Sequence, residues 1–299
     1  MKKQFIPVFK FLLLVTIIAV ISIFVGKLGS SINLEAEAIS NKDVGDEVIL
    51  PRYKESFYNF EIDNDCTSFE FLGGQAEVII SKSTDVLSNP RIEVNQFASC
   101  IGNEAAAVNL ADKNMPIINT LDSKLSLNIL NQIDNFTAPT IRRIVKIYIN
   151  EDFTYDLNLK FDDIKLTVLS EYKGSINVSG SKGNINCKYI DGPLNINLDS
   201  GSVLVQDGLL DSESNINIKE CGIINVTANL KGDSGNWGID TTNGNVQLAL
   251  ENYEKVAFDV SAASIPEKLP KGATYTWTTN NVNYPCVTIN NEGGVIKIT

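Results

Sequence analysis

The sequence contains no histidine. Imidazole is the usual general base for a serine or cysteine nucleophile and the commonest metal ligand, so its absence excludes Ser–His, Cys–His and histidine-ligated metal sites. Hydrolysis would then need paired carboxylates. The candidates are Glu61, Asp63 and Asp65 in one local cluster and Asp162 with Asp163 in another. These positions are typical of exposed turns, so we expect no catalytic residue and a protein that is not an enzyme.

Cysteine is scarce, odd in number and widely spaced, which fits neither a dense disulfide framework nor a zinc site. The five are Cys66, Cys100, Cys187, Cys221 and Cys286. One disulfide remains open. Cys187 occupies the place that Val178 holds in the preceding repeat, so the pattern predicts a small buried thiol there.

The chain also lacks the nonapeptide G-G-x-G-x-D pattern with which some β-helices bind calcium. Asp199 and Asp233 offer oxygen ligands without the repeat geometry. We therefore expect no metal ion and no cofactor. Trp237, Tyr275 and Trp277 could form an aromatic platform for sugars, but packing is the favoured interpretation.

Basic residues are outnumbered, with 25 Lys and Arg against 36 Asp and Glu and a formal net charge of −11. Such a surface repels polyanions, so no nucleic-acid partner is expected. A solvated surface that keeps the protein soluble is the simplest interpretation, although cationic peptides or divalent ions could also be attracted.

Long apolar runs are rare, and the one at the amino terminus stands out. Residues 11–25 read FLLLVTIIAVISIFV and follow Lys2, Lys3 and Lys10. This pattern predicts either an uncleaved membrane anchor or a signal segment, with the amino terminus in the cytoplasm. The predicted organisation is a cytoplasmic tail (1–10), a transmembrane anchor or signal segment (11–28), a stalk (29–50) and one domain (51–299). The predicted localisation is the cell membrane, single-pass, with the carboxyl-terminal domain extracytoplasmic.

A short phrase recurs through residues 174–250: a turn, then an apolar–polar–apolar core, then another turn. The period is two within each phrase, and helical periodicity is absent. Phrase starts recur mostly nine to eleven residues apart. The clearest cores are I-N-V (176–178), I-N-C (185–187), L-N-I-N-L (194–198), V-L-V (203–205), I-N-I (216–218) and I-N-V (224–226).

Two architectures produce such phrases, an antiparallel sandwich or barrel and a β-solenoid. The similarity of successive phrases favours the solenoid, in which like side chains stack about 4.8 Å apart. Ile185, Ile196 and Ile216 are then predicted to be core. The intervening asparagines, such as Asn186 and Asn217, would lie outside or form a hydrogen-bonded ladder. The predicted fold class is all-β, a single-stranded β-solenoid behind one amino-terminal transmembrane helix.

Upstream of the repeats the chain is β-rich but less regular. Strands are predicted around 69–71, 76–80, 125–129, 144–149 and 157–161. Residues 102–114 have low β propensity and no clear period, and they are predicted to be a loop.

The order of several phrases resembles the bacterial putative-adhesin family of membrane-anchored repetitive β proteins. These phrases are V-K-I-Y-I-N-E-D-F (145–153), D-L-N-L-K-F (156–161), L-T-V-L-S-E-Y-K-G-S-I-N-V-S-G (166–180) and G-N-I-N (183–186). Residues 69–81 and 293–298 resemble the family's opening and closing strands, whereas 149–151 lack the family's proline-containing phrase. The resemblance implies a β-solenoid outside the membrane and carries no catalytic residue over to this chain.

The expected function is therefore non-enzymatic binding, adhesin-like and membrane-tethered at the bacterial cell envelope. Two alternatives stay open: an ectodomain that senses envelope stress, and a polysaccharide-processing β-helix enzyme. The expected partners are the membrane through the amino-terminal helix, and a cell-envelope glycan or a membrane protein; self-association is a further expectation. The closing strand Val295, Ile296, Lys297 and Ile298 is the predicted binding edge, because no capping helix follows it.

Overall fold

The structure is a computed structural model. It describes residues 51–63, 65–83, 90–101, 104–129, 131–132, 137–150, 154–211, 213–231, 236–250, 256–262, 274–275 and 286–299. The predicted tail, anchor or signal segment and stalk (1–50) lie outside the described residues.

The described residues are almost entirely β, which confirms the predicted all-β class. In the amino-terminal part the elements are β1 (Pro51–Glu61), β2 (Ser68–Lys82), β3 (Arg91–Ile101), α1 (Glu104–Lys113), β4 (Ile117–Leu121), β5 (Lys124–Ile129), β6 (Thr137–Ile149) and β7 (Asp156–Val168). The repeats form β8 (Tyr172–Lys173), β9 (Ile176–Asp191), β10 (Leu194–Asp211), β11 (Asn215–Lys231), β12 (Asn236–Thr241) and β13 (Asn245–Leu250). The chain continues as β14 (Ala257–Ala262), β15 (Thr274–Tyr275), β16 (Cys286–Asn291) and β17 (Ile296–Ile298).

Most strands pair in parallel and form two rows. Row A joins β5, the first halves of β2, β7, β9, β10 and β11, and then β12, β16 and β14. Row B joins β6, the second halves of the same five strands, and then β13 and β17. Two successive phrases of the repeat therefore lie on one strand, one in each row, and each pairs with the phrase after next.

The bend between the rows depends on glycine in β10. Gly201 has a φ of +152°, and a Cβ there would lie 1.9 Å from the carbonyl oxygen of Gly183 on the neighbouring strand. Any other residue would clash with that backbone. The turn that the repeat predicts between the cores 194–198 and 203–205 is therefore a bend inside a paired strand.

Alternate side chains of both rows point into one continuous apolar core. Ile185, Ile196 and Ile216 are each no more than 2% exposed, which confirms their predicted core positions. Cys187 is also buried and is a free thiol, as the repeat pattern predicts. Cys66, Cys100 and Cys286 are free thiols too.

The amino-terminal end departs from the repeat. Here β1, β3 and β6 form an antiparallel extension of row B, and β4 pairs antiparallel with β5. Strand β2 lies between β6 and β7, although it precedes both in the sequence.

The loop prediction for residues 102–114 is wrong, because Glu104–Lys113 form helix α1. Ala107, Leu110 and Ala111 pack against Ala98, Cys100 and Ile141 in a second, smaller core. Alanine, leucine, glutamate and lysine are strong helix formers, and this composition outweighs the weak apolar period of the segment.

The predicted single-pass membrane localisation is wrong for the part of the chain that the structure describes. None of the helices there is long and apolar enough to cross a membrane.

Candidate functional site

The outward face of row A is unusually rich in asparagine, because the outward positions of successive strands fall into register. Two columns run across the strands, two residues apart. The ladder column contains Asn158, Asn177, Asn195 and Asn215 on β7, β9, β10 and β11; the open column contains Lys160, Ser179, Asn197 and Asn217 on the same strands. Strand pairing thus assembles one polar surface from positions 18 to 20 residues apart in sequence.

The ladder column is hydrogen-bonded along its first three members. The Asn177 side chain donates to Oδ1 of Asn158 at 3.0 Å, and the Asn195 side chain donates to Oδ1 of Asn177 at 2.9 Å. All three side chains are half-buried. The ladder therefore lies on the outer face. The sequence left open whether these asparagines point outward or form a hydrogen-bonded ladder, and here they do both.

The hydrogen bonds of the ladder end at Asn195 on β10, before Asn215 on β11. The column position after Asn215 is Gly238 on β12, and a Cβ added to Gly238 would come within 2.7 Å of Oδ1 of Asn215. The amide of Asn215 therefore leans over β12, into space that only glycine leaves open. Its side chain makes no hydrogen bond with any residue that the structure describes.

The open column differs in its hydrogen bonding. Within the described ranges, the side chains of Ser179, Asn197 and Asn217 make no hydrogen bond to protein. Each amide carries two donors and an acceptor with two lone pairs, and each hydroxyl both donates and accepts. The side chains of the ladder column mostly hydrogen-bond one another. Those of the neighbouring open column are available to hydrogen-bond a ligand.

Both columns border one shallow groove of about 460 Å³ on row A, which we call the asparagine groove. Its outward-facing lining residues are the ladder and open columns together with Glu70 and Leu72 of β2. Glu70 is the single carboxylate among the described lining residues, and its Oε2 lies 2.9 Å from Nζ of Lys124. Among its described lining residues the groove is therefore mostly neutral, with Lys160 as its one cation outside an ion pair.

The outward face of row B has a different chemistry. Lys165 donates to Oε1 of Glu77 at 2.8 Å, and Arg142 lies 3.4 Å from Oε2 of the same carboxylate. The hydrogen bond from Lys165, with Arg142 nearby, lowers the pKa of Glu77. Charged pairs thus occupy row B where amides occupy row A.

The structure separates the acidic residues that the sequence identified as catalytic candidates from the asparagine groove. Asp63 and Asp65 border another depression with Cys66, Thr120 and Ser123, and Glu61 ends β1 on the surface. Asp162 and Asp163 are exposed on β7, and the Asp199 carboxylate accepts from Lys219 at 2.7 Å. Within the described ranges no three Cys, Asp or Glu side chains group closely enough to hold a metal ion.

Trp237 does not belong to an aromatic platform, the alternative that the sequence left open, because its side chain is fully buried in the core. That result confirms the packing interpretation for this residue. Trp277 lies outside the described residues.

The predicted binding edge is the strand β17 in row B. The side chains of Ile296 and Ile298 are core, whereas Val295 and Lys297 point outward. Among the described strands, β17 pairs with β13 alone. A binding role for these four residues stays a prediction, and only Val295 and Lys297 among them have accessible side chains.

The sequence did not identify the asparagine groove as a site. The signal lay in paired asparagines two residues apart, Asn195 with Asn197 and Asn215 with Asn217. Only the strand register shows which of these amides satisfy one another and which do not.

Several solved structures are similar to this chain at low sequence identity. A putative adhesin from Parabacteroides merdae ATCC 43184 is 15% identical, the match covers 82% of this chain and 96% of that chain, and the TM-score is 0.37. A putative cell adhesion protein from Clostridium sporogenes ATCC 15579 is 17% identical over 83% of this chain and 99% of that chain, with a TM-score of 0.26. A putative lipid binding protein from Parabacteroides distasonis ATCC 8503 is 14% identical over 82% of this chain and 97% of that chain, with a TM-score of 0.27.

No protein-family model matches the chain, and no curated protein matches it. The similar structures include proteins described as putative adhesins, the name of the family that the sequence resembles. At these TM-scores the similarity carries no argument about function, and membership of the family stays a prediction.

Proposed function

We propose that the protein is a non-enzymatic binding protein, a β-solenoid whose asparagine groove holds an extended, uncharged polar polymer of the glycan class. The observation that carries the proposal is the cluster of Ser179, Asn197, Asn215 and Asn217 on the three adjacent strands β9, β10 and β11, whose side chains make no hydrogen bond within the described part of the chain. The parallel rows, with phrases pairing 18 and 19 positions apart, support the solenoid architecture.

The amides favour a ligand that both donates and accepts hydrogen bonds. Sugar hydroxyl groups do both, and neutral carboxamides match them without selecting a charge. The net charge of −11 on the chain disfavours polyanions as ligands. The repetition of the same side chains along the groove suits a polymer that repeats in the same direction.

Binding is favoured over catalysis by the charges in the groove. Glycoside hydrolysis uses two carboxyl groups about 5 to 10 Å apart across the scissile bond. Glu70 alone supplies a carboxylate among the described lining residues, and Lys124 lies in an ion pair with it.

The test is co-sedimentation of the full chain with three insoluble, uncharged polysaccharides: chitin, cellulose and insoluble mannan. We expect retention on at least one of them. The double variant Asn197→Ala/Asn217→Ala should lower the affinity about tenfold, because two neutral hydrogen bonds are lost.

A matched control is available on the other row. Asn186 and Asn225 are outward asparagines of β9 and β11 in row B, so Asn186→Ala/Asn225→Ala removes the same chemistry outside the groove. It should bind like the unmodified chain. Absence of retention on all three polymers, or an equal loss in the row B variant, would contradict the proposed function.

A further inference from the structure

The open column has definite ends, and they limit the length of ligand that it can contact. Before Lys160 the same column position is occupied by Leu72 on β2, and after Asn217 by Asp240 on β12. The polar stretch without an acidic side chain therefore spans four strands: β7, β9, β10 and β11. An apolar side chain closes one end and an exposed carboxylate closes the other.

The spacing along this column is that of a parallel sheet, about 4.8 Å per strand. An extended β-1,4-linked sugar chain advances by a similar distance per ring and stays nearly straight, although successive rings are turned over relative to each other. An α-1,4-linked chain curves away and does not keep this alignment. One sugar ring can then face each strand when the chain lies across the strands.

The ladder column fixes the geometry of this surface. Asn177 is held on both sides, donating to Asn158 and accepting from Asn195, so the floor of the groove is ordered before a ligand arrives. Ordered contact groups lower the entropic cost of binding. The open column then supplies the direct contacts.

We infer that the groove binds a neutral, linear β-1,4-linked glycan across the strands, with about four sugar units facing the four strands of the open column. The inference rests on the proposed function and specifies its ligand. Lys160, Ser179, Asn197 and Asn217 each contact one unit, in that order. Asp240 and the acidic surface disfavour a glycan that carries carboxylates.

The experiment is calorimetric titration of the full chain with two series of oligosaccharides, β-1,4-linked N-acetylglucosamine and β-1,4-linked glucose, from two to six units. Affinity should rise with each unit up to about four and then change less than twofold. The sugar series that binds more tightly identifies the ring. The α-1,4-linked glucose series and an oligogalacturonate of four units should bind at least tenfold more weakly.

A single variant tests the order of contacts. Asn217→Ala removes the contact at one end, so affinity for the four-unit ligand should fall about threefold to tenfold. A three-unit ligand can bind over Lys160, Ser179 and Asn197, so its affinity should change less than twofold. Asn186→Ala on row B should leave both affinities unchanged.

Affinity that keeps rising through six units, equal binding of α-1,4-linked chains, or equal losses for three and four units in Asn217→Ala would overturn the inference. Each of these outcomes leaves the proposed function standing, because retention on insoluble polymers tests that function separately.

Discussion

The side-chain amide of Asn195 donates a hydrogen bond of 2.9 Å to Oδ1 of Asn177, although 18 residues separate them in the sequence. The same Asn177 donates to Asn158, a further 19 residues back. Each bond joins one strand to the next, so the ladder fixes the register of β7, β9 and β10. A slip by one residue would turn every outward asparagine of a strand into the core.

Breaking the ladder at its centre should therefore cost stability. Asn177→Asp keeps the shape and can still accept from Asn195, but it places two oxygens opposite each other at the Asn158 contact. We expect the free energy of unfolding to fall by about 1 to 2 kcal/mol, measured by urea denaturation at pH 7. Asn197→Asp makes the same replacement in the open column, where no ladder bond is lost, and should change stability by less than about 0.5 kcal/mol. Equal effects of the two variants would contradict a structural ladder.

The predictability of this fold follows the range of each interaction. Alternation within a phrase is local, so the strands and the core positions Ile185, Ile196 and Ile216 could be predicted. The pairing of β2 with β7 could not be predicted, because the paired residues are 88 positions apart in the sequence, as in the Glu77–Lys165 contact. The open column depends on such register, since Asn195 and Asn197 look alike in sequence and differ only in their neighbours across strands. The sequence pattern did not predict helix α1, because only Ala107, Leu110 and Ala111 form its buried face.

Arg143 is a fully buried cation whose contacts are neutral oxygens. Its guanidinium donates to Oε1 of Gln96 at 2.9 Å, to Oδ1 of Asn131 at 2.6 Å, and to the backbone oxygens of Ile129 at 2.8 Å and Asn114 at 3.1 Å. Burial lowers the pKa of Arg143 to about 10, so it stays charged at neutral pH. The contact to Asn114, directly after α1, ties the helix to the sheet.

Replacing this arginine should destabilise the amino-terminal end. In Arg143→Met four acceptors lose their donor, and we expect a loss of about 3 kcal/mol in the free energy of unfolding. Arg142→Met is the matched control, because that side chain is 68% exposed and its ion pair is 3.4 Å long; its effect should stay below about 0.5 kcal/mol. Hydrogen exchange of the α1 amides should accelerate in Arg143→Met only. Unchanged exchange there would contradict the anchoring role.

Stability should decline at alkaline pH. Burial raises the pKa of the Cys187 thiol from 9.0 to about 12, and burial also raises the pKa of Tyr172 and Tyr155. The folded state then holds protons that the unfolded chain releases, so stability is complete below pH 9 and falls as the pH rises toward 12. Cys187 alone should account for about 1.4 kcal/mol between pH 8 and pH 10.

This pH dependence is checked by thermal unfolding at several pH values, measured for the unmodified chain and for Cys187→Val. Valine occupies the same place in the preceding repeat at Val178, so it should fit the core. The variant should lose less stability between pH 8 and pH 10, while the part due to the tyrosines remains. Parallel pH curves for the two proteins would show that Cys187 does not stay protonated in the folded state.

Among the strands that the structure describes, the closing strand β17 has a partner on one side alone, at the end of row B. Val246 donates to the backbone oxygen of Val295 at 2.9 Å, and Thr299 donates to that of Leu248 at 2.9 Å. Because alternate residues of a strand bond to opposite sides, the backbone groups of Ile296 and Ile298 point away from β13. No other described strand pairs with them. Such an edge can accept a strand from a second copy of the chain.

Removal of residues 295–299 would be a poor test, because it deletes the buried side chains of Ile296 and Ile298 and should unfold this end of the domain. Val295→Asp keeps both and places a charge on the exposed position at the edge. We expect the full chain to self-associate with concentration in sedimentation experiments, and Val295→Asp to weaken that association about tenfold, because charge at an edge opposes strand addition.

Ile223→Asp is the matched control: Ile223 is 60% exposed against 58% for Val295 and lies in the same outward column, but β11 is paired on both sides. A chain that stays monomeric at all concentrations would contradict the edge, whereas equal weakening by Ile223→Asp would move the contact from the strand edge to the outward face of row B.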